Sequence, residues 1–72
     1  MITLKMTEND YFDAELDEYV MTVGASVTAL QTDVKIKDQD GESWECYLTS
    51  VEFVPAQVRG KRDVYIIHYK VY

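Results

Sequence analysis

The chain has few of the residues that stabilise small domains through disulfides or bound metal ions, and few prolines and glycines. Its 72 residues include one cysteine, one histidine, one proline and three glycines. A lone cysteine excludes an intrachain disulfide, and a secreted domain of this length usually needs two or more bridges. One cysteine and one histidine also fall short of the three or four ligands of a zinc site. We therefore expect a single domain over 1–72 that is held by its apolar core, without metal or cofactor.

Long apolar runs and catalytic motifs are missing too. No run approaches the roughly 18 apolar residues of a membrane span, and residues 1–6 lack the apolar region of a signal peptide. These absences predict a cytoplasmic protein with no membrane partner. No glycine-rich phosphate-binding motif is present, and residues 38–42 are too short for a calcium loop of the EF-hand type. We do not expect an enzyme.

Positive charge is absent from a long part of the chain. Between Met6 and Val34 there are seven acidic residues and no lysine or arginine, and the net charge of the chain is −6. Such a balance disfavours nucleic acid as a partner, because phosphates repel carboxylates. A basic protein is the expected partner. Six of the acids lie within eleven positions and are called the acidic block here: Glu8, Asp10, Asp13, Glu15, Asp17 and Glu18.

The acidic block also has the periodicity of an amphipathic helix. Apolar residues recur at i, i+4, i+7, i+8 and i+11, namely Phe12, Leu16, Tyr19, Val20 and Val23. Thr7 followed by Asp10 matches a helix-capping pattern, and Gly24 stands where a helix end favours glycine. The pattern predicts a helix over about 8–23 with its carboxylates in solvent. The β-branched content of 19–23 leaves a strand open as the alternative.

The remaining segments predict four strands, at 2–6, 27–37, 44–53 and 63–72. Between the middle two, a three-residue loop at 39–41 is favoured, because it sets apolar Ile36 opposite Trp44 and Lys35 opposite Glu45. The same register sets Val34 opposite Cys46 and makes Cys46 a buried, inert thiol.

The apolar phase of the third strand shifts after Leu48, which predicts a bulge near 49–50, and Pro55 ends the strand. The last strand has apolar residues on both faces, so we expect it to be central or to meet a partner. The predicted fold is α+β in the order β-α-β-β-β, with one acidic helix on a mainly antiparallel four-stranded sheet. A five-stranded small β-barrel, with 19–23 as a strand, is the alternative.

The first functional hypothesis is a non-enzymatic, acidic protein-binding module. Its binding surface would be the acidic block with Tyr11 as an aromatic anchor, because tyrosine suits interfaces. Repulsion among carboxylates on one helix face costs a few tenths of a kcal/mol per pair. A sequence that keeps several such pairs without a lysine among them is typical of a charged surface that binds a partner.

In size, acidity and absence of catalytic residues, the chain resembles small accessory proteins of phages and mobile elements, including anti-CRISPR and anti-restriction proteins. The resemblance is compositional and covers no alignable motif. It implies a DNA mimic whose carboxylates occupy the place of phosphates and occlude a basic, nucleic-acid-binding surface of a host protein.

Two alternative hypotheses remain open. A structural or assembly protein would form a homo-oligomer through its last strand, with edge pairing as one form of the contact, made by Val64, Ile66 and Tyr72. A single-stranded nucleic-acid binder would use the basic loop at 56–62 and an adjacent aromatic residue, namely Arg59, Lys61, Arg62 and Tyr65. His68 is interpreted as a partly exposed strand residue.

Overall fold

The structure, a computed structural model, describes residues 1–26 and 30–72, and these residues form six strands and no helix. The strands are β1 Ile2–Lys5, β2 Tyr11–Asp13, β3 Glu18–Gly24, β4 Asp33–Lys37, β5 Ser43–Val54 and β6 Val64–Val71. They make one mixed sheet in the order β1-β4-β5-β6-β3-β2, curled into a half-barrel. β1 runs parallel to β4, and all other neighbours are antiparallel.

The predicted helix over 8–23, and with it the α+β class, is wrong. This segment forms the β2–β3 hairpin, in which Asp13 pairs with Glu18 around a connection at 14–17. The Asp13 carboxylate accepts hydrogen bonds from the Glu15 and Leu16 amides at 3.0 and 3.4 Å, and Asp17 has a φ of 51°. Aspartate favours such turns because its short side chain bonds the local backbone and tolerates positive φ.

The barrel alternative was right that 19–23 is a strand, since β3 contains these residues. It was wrong about the strand count and about closure, because the described part of the chain forms six strands, with β1 and β2 as the two edges of the sheet. Thr7 and Asp10 do form the predicted capping contact, with the Thr7 amide 2.8 Å from Asp10 Oδ2. The contact closes an isolated turn. The pattern thus predicted the local contact correctly, but no helix follows it.

The predicted β4–β5 hairpin is confirmed. Ile36 lies opposite Trp44 and Val34 opposite Cys46, and the Asp38 amide donates to the Glu42 carbonyl at 2.8 Å across the three-residue loop. Gly41 has a φ of 88°, the conformation in which glycine avoids the cost of a Cβ.

The predicted bulge is present as a register shift between Leu48 and Ser50, and β5 ends just before Pro55. The predicted strand at 27–37 is confirmed only from Asp33, and its positions 27–29 lie outside the described residues. β6 is interior, with β5 on one side and β3 on the other. Edge pairing through this strand is therefore wrong, because both of its edges are already hydrogen-bonded.

The core lies on the inner face of the curled sheet. Residues directly opposite each other on paired strands share a face, and this face gathers the buried cluster Met6, Tyr19, Met21, Val34, Ile36, Cys46, Ile67 and Tyr69. No described segment is a helix long and apolar enough to cross a membrane.

Candidate functional site

A cleft of about 580 Å³ opens at the end of the half-barrel where the β2–β3 hairpin meets the β4–β5 turn. Its apolar lining consists of Met6, Tyr11, Phe12, Tyr19, Trp44 and Val71, and its polar lining of Asp10, Asp17, Asp38, Gln39 and Asp40. We call it the aromatic cleft. Four carboxylates and no lysine or arginine line it, so its charge is of one sign.

The aromatic side chains come from two different hairpins. Phe12 lies opposite Tyr19 in the β2–β3 pair, and their rings are 4.6 Å apart between centroids with a tilt of 41°. Tyr19 is buried, while Phe12 is 43% and Trp44 42% exposed. Large aromatic surfaces that stay this open are available to a ligand.

Asp38 connects the turn to the wall of the cleft. Its Oδ1 accepts hydrogen bonds from the amides of Asp40 and Glu42 at 3.0 and 2.9 Å. Its Oδ2 accepts a long hydrogen bond of 3.4 Å from the indole Nε1 of Trp44. One carboxylate thus shapes the turn and orients the tryptophan.

Asp10 has a similar structural role on the other side of the cleft. It is 9% exposed, and its Oδ2 accepts from both the amide and the hydroxyl of Thr7 at 2.8 and 3.1 Å. Its Oδ1 accepts from the Thr22 amide at 3.1 Å, which ties the chain before β2 to β3. Asp17 and Asp40 are exposed, so they are the carboxylates most accessible to a ligand.

The hydroxyl of Tyr19 responds to both its burial and the charge of the cleft. Burial of its hydroxyl, followed by the nearby charge of Asp38, raises the pKa of Tyr19 from 10.0 to about 12. Burial disfavours a charge of either sign at this hydroxyl, and the nearby carboxylates add a smaller effect that disfavours the tyrosinate alone. The exposed carboxylates of Asp17 and Asp40, beside the exposed rings, suit a positively charged side chain, which could stack on the rings and pair with the rim.

The predicted acidic site is dispersed by the fold. No helix exists to gather the acidic block on one face, and only Asp10 and Asp17 of it reach the cleft, together with Tyr11. Glu8 and Glu15 are exposed in connecting segments. Glu18 contacts Nδ1 of His68, whose side chain is 26% exposed, on the outer face of the sheet.

The residues of the two alternative hypotheses lie elsewhere. Val64 and Ile66 are half-buried on the outer face of β6, and the exposed Tyr72 donates a hydrogen bond to Asp33, which raises the pKa of its phenol. Arg59, Lys61 and Arg62 are exposed in the basic loop. Tyr65 is half-buried on the core side of β6, and its ring packs against that of Phe53 with centroids 5.4 Å apart.

Sequence reasoning missed Phe12, Trp44, Asp38 and Asp40 as site residues. One feature of the sequence could have predicted that Trp44 is exposed: it follows directly after a turn, and a residue there lies at the end of a sheet. Phe12 was assigned to a helical core stripe, and this concealed its place in the cleft.

Comparison with known proteins gives no relative on which to base a function. No model of a protein family matches the chain, no curated protein matches it, and no solved structure matches it.

Proposed function

We propose that the protein is a non-enzymatic binding module that holds a basic segment of a partner protein in the aromatic cleft. One observation carries the proposal: exposed aromatic rings and carboxylates converge there, with no cation of the chain among the lining residues. An arginine or lysine side chain gains both cation–π stacking and charge-assisted hydrogen bonds in such a place. Arginine is favoured because its planar guanidinium stacks on rings while it pairs with a carboxylate.

We propose that binding in the cleft inhibits the partner protein. A basic segment seated in the cleft cannot contact phosphates at the same time, so a host protein that uses such a segment on nucleic acid would be blocked. The dispersal of the acidic block favours capture of a few cationic side chains over imitation of a long phosphate row. We place the protein in the cytoplasm, because Cys46 is a single buried thiol without a disulfide partner.

Binding can be measured through Trp44, the single tryptophan of the chain. A short peptide containing arginine and lysine should shift Trp44 fluorescence saturably, and a glutamate peptide of equal length should not. The Asp17→Asn, Asp40→Asn double variant removes rim charge without touching Asp10 or Asp38. It should weaken peptide binding about three- to tenfold, as expected for two partly exposed ion pairs.

The matched control is Glu8→Gln, Glu15→Gln, which changes the net charge equally at exposed positions outside the cleft. It should change the affinity by less than about twofold, since distant charges are screened by salt. Equal weakening in both double variants would show attraction by net charge alone, and no response of Trp44 to the basic peptide would reject the cleft as the site.

A further inference from the structure

The two ends of the molecule carry opposite charge. β5 has 12 residues, which at roughly 3.3 Å per residue gives a length comparable with the longest dimension of the molecule, 37 Å. The aromatic cleft lies at the start of β5, beside Trp44, and the basic loop follows its end at Pro55. The cations of the loop therefore cannot reach the cleft of their own chain.

The basic loop presents its side chains at a tight turn. The Lys61 amide donates to the Val58 carbonyl at 3.2 Å, and Gly60 has a φ of 88° at the third position of this turn, as a type II turn requires. Arg59, Lys61 and Arg62 are exposed, and Val58 is 60% exposed. Within residues 1–26 and 30–72, the ion pair between side chains is that of Glu18 with His68, and none of these three cations forms one there.

We propose that the basic loop of a second copy of this chain occupies the aromatic cleft, so that copies associate head to tail. This inference rests on the proposed function, because it names a second basic segment, beside that of a host protein, that the same cleft binds. The match is chemical: the loop offers exposed cations and an apolar Val58, and the cleft offers carboxylates and apolar rings. Because donor and acceptor surfaces differ, the interface is heterologous, and each added copy leaves one free cleft and one free loop.

The net charge of −6 does not forbid this contact. Repulsion between whole molecules acts over distances that are screened beyond about 10 Å at 0.1 M salt. The loop and the cleft meet at hydrogen-bonding distance, where opposite charges attract even while the remainder of each surface is screened. Association should therefore be weak and concentration-dependent, and it should be lost when salt screens the short-range pairs as well.

The first experiment is the mass of the wild-type chain by light scattering over a range of concentrations. At about 50 mM salt the mass should rise with concentration from 8.4 kDa past that of a dimer, and at about 500 mM salt it should return to that of the monomer. A monomer at every concentration in low salt would overturn the inference. The proposed function would survive that result if the arginine-lysine peptide still shifts Trp44 fluorescence, and both would fall if it does not.

Two variants then test the polarity of the contact. The loop variant is Arg59→Gln, Lys61→Gln, and the cleft variant is Asp17→Asn, Asp40→Lys. Each should stay monomeric alone. Mixed together they should form a 1:1 complex that grows no further, because the loop variant supplies an intact cleft and the cleft variant an intact loop. Continued growth of either variant alone, or no complex in the mixture, would contradict a head-to-tail contact.

Controls with matched charge separate the contact from net charge. Lys35→Gln, Lys37→Gln alters the charge as the loop variant does, and Glu8→Gln, Glu15→Lys alters it as the cleft variant does, at exposed positions outside both surfaces. Both controls should assemble like the wild type. Loss of assembly in the controls would assign the effect to net charge and overturn the inference.

Discussion

Cys46 shows how burial sets the chemistry of a single residue. The thiol is fully buried between Val34 of β4 and Val71 of β6, and it lies 3.5 Å from the Trp44 carbonyl oxygen. Burial raises the pKa of Cys46 from 9.0 to about 11, because the thiolate would lose its hydration. The folded state therefore keeps the proton at a pH where the unfolded chain releases it.

This difference predicts an alkaline loss of stability. The contribution of Cys46 is complete below pH 9 and decreases as the pH rises toward 11, reaching a loss of about 1 kcal/mol by pH 10. Cys46→Ala removes the thiol, so its free energy of unfolding should fall less between pH 7 and pH 10 than that of the wild type. Urea unfolding of both proteins at each pH measures this, and each is compared with its own value at pH 7. Identical pH profiles would contradict the role of the thiol.

At the scale of single residues, some features were predictable because their causes are local. The burial of Cys46 and the glycine at position 41 follow from the register of one hairpin and the geometry of its turn. The capping contact of Thr7 with Asp10 was also readable from four adjacent residues. What could not be read was the structural use of the Asp38 and Asp10 carboxylates in the cleft, because each bonds a group that lies 6 or 12 positions away.

At the scale of elements, the β2–β3 hairpin is where two sequence patterns competed. The helical pattern needs Leu16 on the same face as Phe12 and Tyr19. The strand pattern needs Tyr19, Met21 and Val23 on one face, and it prevails because these residues lie opposite Tyr69, Ile67 and Tyr65 of β6. Pairing with a strand some 45 residues away is a non-local gain that a helical periodicity cannot reveal. A helix would also have retained the repulsion among unpaired carboxylates.

The strand structure of this hairpin predicts different costs in stability for substitutions at two of its apolar residues. Leu16 is 56% exposed at the tip, and Met21 is buried in the core. Leu16→Ser should change the free energy of unfolding by less than about 0.5 kcal/mol, whereas Met21→Ala should cost about 2 to 4 kcal/mol. Urea unfolding of the two variants measures both values. A large cost for Leu16→Ser, comparable with that of Met21→Ala, would favour the helical arrangement that the structure contradicts.

At the scale of the whole molecule, the aromatic cleft depends on strand order. Met6, Phe12, Asp38 and Trp44 are spread over nearly 40 positions, and they meet because the sheet curls until the β2–β3 hairpin approaches the β4–β5 turn. The sequence predicted the second of these hairpins and not the first. The sequence therefore predicted the hairpin that forms one side of the cleft, but not the β2–β3 hairpin that forms the other side.

Strand order also determines how the molecule opens. β5 and β6 are hydrogen-bonded on both sides, whereas β1 and β2 are short edge strands with one neighbour each. Edge strands fray without disrupting the rest of a sheet, and interior strands exchange their amide hydrogens only when most of the sheet opens. Amides of Cys46, Ile67 and Tyr69 should therefore exchange at least about a hundredfold more slowly than those of Thr3 and Phe12.

Hydrogen exchange followed by NMR measures these rates. Measuring them over a range of protein concentrations also shows which edge of the sheet becomes covered on assembly. At low concentration in high salt the edge amides should exchange fast, since no second copy covers them. Assembly through the aromatic cleft should then slow exchange near Phe12, which lies in both β2 and the cleft, and should leave Thr3 on the opposite edge unchanged. Equal slowing of both edges would indicate edge-to-edge pairing of sheets, and protection of β2 in the dilute monomer would contradict the strand order itself.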